Sequence, residues 1–564
     1  MQSYIRKAID AVKSPAIGEL WGFSAGERWR ILLITLMNIM SAVLSLLFTL
    51  VMRELVDSAV TGSRNGVEAN AILLAALIAI MLLSSYFRRM LYIRTRTRLL
   101  CNIRSDAVHR LLHKKYGALQ AYHSGELVNH IFSDVGVMAD GIVNIVPPLL
   151  YLIIQLIGAA VILYRMNSGF MLILLMSGAL GALASFAFRH KMKAYHKESQ
   201  QAQDRFHARV QETLQNLRII KASGTESRME RETNSFQNYY SETQIRHGRF
   251  SAFMGTGLGL VFRASWFYAL LWGCLGIYHG NLSYGTLTAI LQLVNQIQSP
   301  FEGLISTMTS AYSTISSTER LMELYRLPDD EPSPKMEERL SDFREIRLEN
   351  VTFDYNPNEE VLRDINLTIR RGDTMAIMGS SGCGKSTLFS LLLGIYTPES
   401  GHIRVTVGNT TVNRTVRELF SYVPQGNALF SGTLRENIAM FCEEADDDRI
   451  WLAAKQACID GFIQALPSGL DTRIGENGLG LSEGQAQRVA IARALMTDAP
   501  ILLLDESTSA LDEQTEAKLL ANIASLQDKT CLIVTHRRAA LEICTRRVDI
   551  NNGKIIKEEG VICS

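Results

Sequence analysis

The stretch "GSSGCGKST" (379–387) decides how this 564-residue chain is read. Its first eight residues satisfy G-x-x-x-x-G-K-[ST] in full, and both flanks agree with that pattern. "TMAIM" (374–378) precedes it as a short apolar strand, and "STLFSLLLGI" (386–395) continues from it as a helix. Glycines at this spacing let backbone N–H groups wrap phosphate oxygens at a helix N-terminus. The cradle is Gly379, Ser380, Ser381, Gly382, Cys383 and Gly384, with Thr387 just inside the helix. Lys385 is placed to reach the β and γ phosphates, and the Ser386 hydroxyl to ligate Mg2+. A second element, "ILLLDE" (501–506), ends an apolar strand in two carboxylates. Asp505 suits the metal, and Glu506 suits orienting or deprotonating an attacking water.

Around this loop the texture is that of an α/β protein. Short β-branched runs such as "IRLENVTFDY" and "TCLIVTH" alternate with helical stretches, which predicts a mostly parallel sheet over 343–564. The N-terminal half differs. Bilayer-length apolar runs fall at 31–52, 70–87, 141–164 and 170–188. Two further spans, about 251–278 and 284–315, are more polar: the first contains Arg263, the second Gln292, Asn295, Gln296, Gln298 and Glu302. Six spans are therefore expected. At 1.5 Å per residue, Arg263 and Glu302 lie at comparable depth, about 24 and about 27 Å from the outer end. That permits an ion pair, although Arg263 could instead snorkel to the inner interface or attract an acidic cargo.

Basic residues orient the spans. Nine Lys/Arg lie in 88–140 and twelve in 189–250, whereas the other three connections carry almost none. Both large segments, both termini and the α/β half are thus expected on the cytoplasmic side. Each segment is too long for a structureless loop, which predicts helices running on from the spans. "RLPDDEPSPKMEE" (326–338) reads as an exposed linker. The eight cysteines form no CxxC pair or Cys/His cluster, so reduced thiols are expected, without a disulfide framework or zinc site. A net charge of +1 gives no pull toward nucleic acid.

Between the two phosphate-site elements lies "LSEGQAQRVAIARAL" (481–495). Here the chain resembles the ATPase of ABC transporters, whose signature is LSGGQ followed by R-x-x-x-A-R-A. The resemblance implies roles for further residues. Tyr355 in "VTFDY" corresponds to the aromatic residue stacking on adenine, and Gln425 in "YVPQ" to the glutamine touching Mg2+ and the membrane domain. His536 in "IVTH" corresponds to the switch histidine on the γ-phosphate, and Asp512 closes the D-loop "SALD" (509–512). "IGENGLG" (474–480) resembles the loop ahead of the signature. Ser482, Gly484 and Gln485 of the signature would close over nucleotide held by a second chain. Glu483 departs from the family, standing where glycine is commonest. In the membrane half, "YHSGELVNHIFSDV" (122–135) resembles the first coupling-helix region, and "ETLQNLRIIKASGTE" (212–226) the stretch after the second.

The expected architecture is a multidomain membrane protein: an all-α six-helix transmembrane domain plus an α/β P-loop nucleotide-binding domain. Its expected parts are a cytoplasmic N-terminal elbow (1–30), the membrane domain (31–325) with extensions (88–140 and 189–250), a linker (326–342) and the ATPase domain (343–564). The resemblance implies a half-transporter of the exporter type that binds ATP and Mg2+, hydrolyses ATP with Lys385, Gln425, Glu506 and His536, and works as a dimer in the bacterial plasma membrane. A homodimer is favoured because each of the catalytic positions Lys385, Asp505, Glu506 and His536 is of the working type; a heterodimer stays open. A peptide, a lipid or an amphipathic compound fits as cargo, with lipid or glycolipid flipping, or an ATP-gated channel or regulator, as alternatives. Membrane lipid is an expected partner and nucleic acid is not. Cys383 sits at a helix N-terminus, which favours its thiolate. Stoichiometric thiol labelling of Cys383 should block ATP hydrolysis, and prior ATP should protect; an unchanged rate after labelling would refute this.

Overall fold

The computed structural model describes residues 15–166, 168–334, 340–355, 360–426, 429–442, 445–475, 478–526 and 529–560. Two compact units emerge: Met1–Leu112 with His123–Arg326, and His113–Tyr122 with Leu327–Ser564.

The first unit is helical. A short helix α1 (Pro15–Phe23) precedes α2 (Arg28–Val60) and α3 (Arg64–Leu112). The next helix, α4 (Tyr116–Leu119), belongs to the second unit. The first unit resumes with α5 (Ser124–Asn129), α6 (Val135–Asn144), α7 (Val146–Met166), α8 (Ser168–Gln215), α9 (Leu217–Ser223), α10 (Glu226–Tyr278) and α11 (Tyr284–Tyr325). Five of the six spans read from the sequence fall each within one long helix; the span 141–164 is divided between α6 and α7 at Ile145. Among the described residues, four helical stretches are long and apolar enough to cross a membrane: Ala25–Val60, Arg64–Leu112, Ser124–Met166 and Glu226–Tyr278. The basic segments are helical too. α3 runs on to Leu112, while α8 and α10 lie side by side through Ser199 Oγ donating to Gln244 Oε1 (2.6 Å) and Phe206 stacked on Tyr240.

The polarity of this unit is inverted relative to a water-soluble bundle. Leu32, Leu36, Ile72, Leu82 and Leu83 face outward, whereas Thr49, Ser84 and Gln155 are buried. Such placement suits a lipid surround, in which buried polar groups join helices. Gln296 of α11 shows how. Its Nε2 donates to Ser45 O (3.1 Å), Ser45 Oγ (3.0 Å) and Thr49 Oγ1 (3.0 Å) on α2, while Gln298 Nε2 reaches Phe262 O on α10 (3.2 Å). Of the amide run in this span, then, Gln296 binds helices together and Asn295 stays exposed. Arg263 is exposed; the side chain of Glu302 lies outside the described residues, as does residue pair 476–477 of the loop ahead of the signature.

Between α5 and α6 one π-turn, His130–Asp134, turns two polar side chains inward. The Asp134 carboxylate accepts from Ser317 Oγ (2.8 Å), from Arg320 Nε (3.0 Å) and from the His130 ring (2.7 Å), tying the turn to α11. A buried carboxylate needs such partners.

Besides a two-stranded pair of β7 (Gly432–Thr433) and β8 (Arg473–Ile474) and, after the phosphate-loop helix α12 (Lys385–Leu392), the short helices α13 (Leu434–Ile438), α14 (Asp447–Gln456) and α15 (Asp460–Ala465), the second unit contains two main sheets. An antiparallel one, in the order β2-β1-β4-β5, comprises β1 (Phe343–Asp354), β2 (Glu360–Arg370), β4 (Ser400–Val407) and β5 (Thr410–Val412). The other runs β12-β11-β3-β10-β9-β6, with β3 (Thr374–Met378), β6 (Phe420–Val423), β9 (Ile501–Asp505), β10 (Thr530–Val534), β11 (Arg546–Asn551) and β12 (Lys554–Gly560); only β12 is antiparallel to its neighbour. Strands β3, β9 and β10 are almost wholly buried, which explains their continuous apolar runs. The antiparallel sheet was not distinguished in the sequence, because its strands alternate burial in the ordinary way of half-exposed strands. The described residues at the start of the linker are partly exposed but fastened. Asp330 pairs with Arg417 (2.6 Å), Glu331 with Arg414 (3.0 Å), and Ser333 Oγ donates to Glu418 (2.5 Å).

One close approach fixes the start of α11. Asp57 on α2 accepts from Gly285 N (2.7 Å) and Ser283 Oγ (2.8 Å), and a Cβ at Gly285 would lie 2.2 Å from the Arg53 carbonyl oxygen. Backbone cannot yield as a side chain can. Gly285→Ala should therefore destabilise the first unit by about 2 kcal/mol, read as a lowered melting temperature in detergent. Gly248→Ala, with nothing within 4 Å of its Cβ, is the control. Equal melting of the two variants would refute the packing account.

Candidate functional site

Four neighbouring parallel strands, β3, β10, β9 and β6, place the candidate residues. In register, Thr374–Ile377 faces Cys531–Val534, Thr530–Val534 faces Ile501–Asp505, and Phe420–Val423 faces Ile501–Leu504. Their carboxyl ends therefore lie side by side. The chain leaves β3 into the phosphate loop, β10 into His536, β9 into Glu506 and β6 into Gln425. Ligands of open α/β sheets bind at such strand ends.

The loop's glycines are required by its shape. Gly382 and Gly384 have φ of +78° and +105°, and a Cβ at Gly379 would sit 2.2 Å from the Ile550 carbonyl oxygen. The loop opens into α12 (Lys385–Leu392), with Gly384 as its N-cap, and a helix start leaves its first amides without partners inside the helix. Lys385 is largely buried, and its ammonium is held at the mouth by the carbonyls of Gly379 (2.7 Å) and Ser380 (3.0 Å). Cys383 is buried within the loop; Ser380, Ser381, Gly382 and Ser386 are exposed. The Ser386 hydroxyl lies near the buried Asp505 carboxylate and favours its charged form. Burial pushes the Asp505 carboxyl above the usual range; Ser386, Tyr422 and Lys385 oppose this, and the neighbouring Glu506 reinforces it. Tyr422 Oη lies 3.4 Å from Asp505 Oδ2, and burial together with that carboxylate raises its own phenol. A serine hydroxyl beside a carboxylate is a hard-oxygen pair of the kind Mg2+ selects.

Glu506 adopts φ +49°, a left-handed conformation rare for a residue with a side chain. Its amide donates to Val534 O (3.1 Å), tying the turn to β10. The carboxylate then meets two of the other candidates: Gln425 Nε2 donates to Oε2 (2.8 Å), and His536 Nε2 lies 3.9 Å from Oε1. Such strain gathers where a side chain must point against backbone preference. Tyr355, 48% exposed, shares a hydrogen bond with Thr387 Oγ1 (3.0 Å) and leaves part of its ring open to solvent.

Ser482, Gly484, Gln485 and Asp512 form a second group. Ser482 caps α16 (Glu483–Leu495): its Oγ accepts from Gln485 N (3.3 Å), and Gln485 Oε1 accepts from Ser482 N (2.8 Å). Glu483 therefore occupies the first helical position, where a carboxylate suits the helix dipole, so the departure from glycine leaves the helix start intact. A Cβ at Gly484 would lie 2.9 Å from Ala510 O, which brings the signature against the D-loop. The Asp512 side chain caps α17 (Glu513–Ala524) by accepting from Thr515 N (2.9 Å), a bond that holds its carboxyl below the usual range.

Two residues the sequence reading passed over hold the D-loop. Gln487 donates to Ser509 Oγ (3.3 Å) and accepts from Ala510 N (3.2 Å). From the other side Arg537, next to His536, donates to Ser509 O (2.5 Å), Leu511 O (2.9 Å) and the buried Glu516 (2.8 Å). Gln487 lay within the quoted signature and Arg537 beside the quoted histidine, so adjacency was the available signal.

Comparison with known proteins agrees with both halves. The description "ABC transporter transmembrane region" matches residues 31–301, and "ABC transporter" matches residues 362–509. The chain belongs to the ABC transporters and has the half-transporter architecture of the exporter type, a membrane region followed by one ATPase region. An uncharacterized ABC transporter ATP-binding protein, YwjA, of Bacillus subtilis (strain 168) is 36% identical over 63% of this chain and 62% of its own length. A protein of Rickettsia bellii (strain RML369-C), provisionally named an export ATP-binding/permease protein, is 28% identical over 93% of each chain. The solved structure of a bacterial Atm1-family ABC exporter with ATP bound superposes with a TM-score of 0.79 at 24% identity, covering 94% of this chain and 95% of that one; at that identity the likeness is one of fold. The protein is thus a multi-pass membrane protein with an ABC ATPase region.

Arg537→Ala strands the buried Glu516 carboxylate and frees the D-loop. Stability of the second unit should fall by about 2 kcal/mol in denaturant titration, together with ATPase activity. Adding Glu516→Gln should restore part of the stability but not the activity. Recovery of both would show that Arg537 serves the fold alone.

Proposed function

We propose that this chain, paired with a second copy, is an ATP-driven exporter of a peptide, lipid or amphipathic compound across the plasma membrane, with its ATPase and both termini cytoplasmic. The observation that carries the reading is the convergence of Lys385, Ser386, Asp505, Glu506, Gln425 and His536 at the ends of four adjacent strands, in a chain whose other half is built of membrane-length helices.

The residues fit ATP with Mg2+. The glycine loop and the start of α12 offer amides to the phosphates, Lys385 compensates their charge, and Tyr355 offers a ring face to adenine. Mg2+, held by Ser386, Asp505 and Gln425, would neutralise charge developing on the transferred phosphoryl group. Glu506 would orient the attacking water and take its proton, with Gln425 and His536 fixing the carboxylate from either side. Ser482 and Gly484 of the second copy would close over the γ-phosphate with the α16 N-terminus, and this requirement for a partner makes the working unit a dimer. ATP can shift the helices only by binding the closed pair more tightly than the open one. Hydrolysis then removes that difference and resets the pair. Nine and twelve Lys/Arg in the two large segments support the cytoplasmic orientation.

Glu506→Gln removes the base while keeping the hydrogen bond to Gln425. In reconstituted vesicles ATPase should fall by about 100-fold or more, and ATP should trap a closed dimer detectable by cross-linking across the ATPase pair. ATP hydrolysis at the parent rate would refute the assignment of Glu506. Intact hydrolysis in a chain held monomeric would refute the dimer.

A further inference from the structure

The ten residues His113–Tyr122 lie in sequence between helices of the first unit but pack within the second. The coupling resemblance fell on 122–135, whereas the stretch that docks lies immediately before it. It is secured at two places. At its start Lys114 and Asp329 form a β-bridge, Lys115 N donates to Pro328 O (3.0 Å), and the buried Lys114 ammonium reaches Leu327 O (2.6 Å) and Asp329 (2.6 Å). Around the helix α4 three contacts converge on Tyr396. That phenol donates to Gln120 Oε1 (2.5 Å), its ring meets Tyr116 edge-on at 6.1 Å, and a Cβ at Gly117 would lie 2.9 Å from the ring. The same ring packs edge-on against Tyr355, centroids 5.3 Å apart, while Phe353 lies 5.3 Å from Tyr396 and 5.1 Å from Tyr355.

We infer that Tyr396 is a positioning residue that transmits adenine stacking on Tyr355 to the segment 113–122, and so to the helices that continue from both its ends. The inference rests on the reading of Tyr355 as the base-stacking residue. A ring wedged edge-on between two others cannot follow one without displacing the other, because aromatic pairs hold preferred offsets. Tyr355 is pinned at its hydroxyl by Thr387 (3.0 Å), next to the phosphate-loop Ser386, so base and phosphates bear on the same side chain. On the other side, Gln120 and Gly117 give Tyr396 a polar and a steric grip on α4. A continuous line of contacts from Tyr355 to the segment 113–122 therefore runs through the Tyr396 side chain. It is separate from the Gln425 contact that the family resemblance singles out.

The test uses the full-length protein in lipid vesicles, with ATP as the probe. Tyr396→Phe and Gln120→Leu each remove the same hydrogen bond and leave the ring packing in place. Each should lower ATPase kcat about fivefold at an unchanged KM for ATP. Each should also shrink the ATP-dependent distance change between spin labels on Ser63→Cys and its counterpart in the second copy. The double variant should be no worse than either single, as two ends of one contact require. A rise in KM with kcat intact, parent-like label distances, or additive losses would overturn the inference; melting temperatures matching the parent exclude misfolding. Tyr355→Ala separates the two readings. A KM for ATP raised about tenfold supports base stacking, and parent-like Tyr396→Phe and Gln120→Leu then sink the relay alone. An unchanged KM removes the stacking reading and the relay with it.

Discussion

Parallel pairing of β3, β10, β9 and β6 is the constraint on which the candidate site depends. Because the four strands run the same way and pair in one register, their carboxyl ends stop at one level. Residues 379–386, 425, 505–506 and 536 are far apart in sequence, yet Asp505 ends its strand, Glu506, Gln425 and His536 lie one or two residues beyond theirs, and the phosphate loop starts directly after β3. The pairing also explains why the turn at Glu506 tolerates a left-handed backbone: its amide is captured by Val534 of the neighbouring strand, so the ladder offsets the strain. The geometry of the candidate site is thus set by hydrogen bonding in the strands, of which Asp505 at the end of β9 is itself a site residue.

The fold of the second unit was legible because its site motifs carry their own context. A strand, a glycine loop and a helix in that order admit few arrangements, and "ILLLDE" adds a second strand with a defined end. What the sequence could not show were contacts made by ordinary residues at long range. Arg537 and Gln487 grip the D-loop through backbone carbonyls and amides, a use that leaves no mark on residue type. Tyr396 directly follows the helical stretch 386–395, and nothing in its residue type sets it apart. The docked decapeptide was equally hidden, since "HKKYGALQAY" has neither strong periodicity nor charge contrast with its neighbours.

In the membrane half, apolar length located the helices, but the purpose of polar residues within them was open. Gln296 illustrates the ambiguity. An amide in a span can meet cargo or another helix, and its spacing is the same either way. The geometry decides for helix joining, since three acceptors on α2 converge on one nitrogen. The π-turn at His130–Asp134 could not have been read at all, because one extra residue in a helical turn shifts no composition. It is nonetheless what lets Asp134 face Arg320 and Ser317.

That the second unit recruits residues 113–122 from within the first half's sequence bears on modular exchange among relatives. A cassette cut at the linker and spliced onto a foreign membrane half would arrive with Tyr396 bare and the strap at 327–330 missing its strand mate. Decapeptide and ATPase surface must then diverge as a matched set, and successful chimaeras should be those in which the two are inherited together.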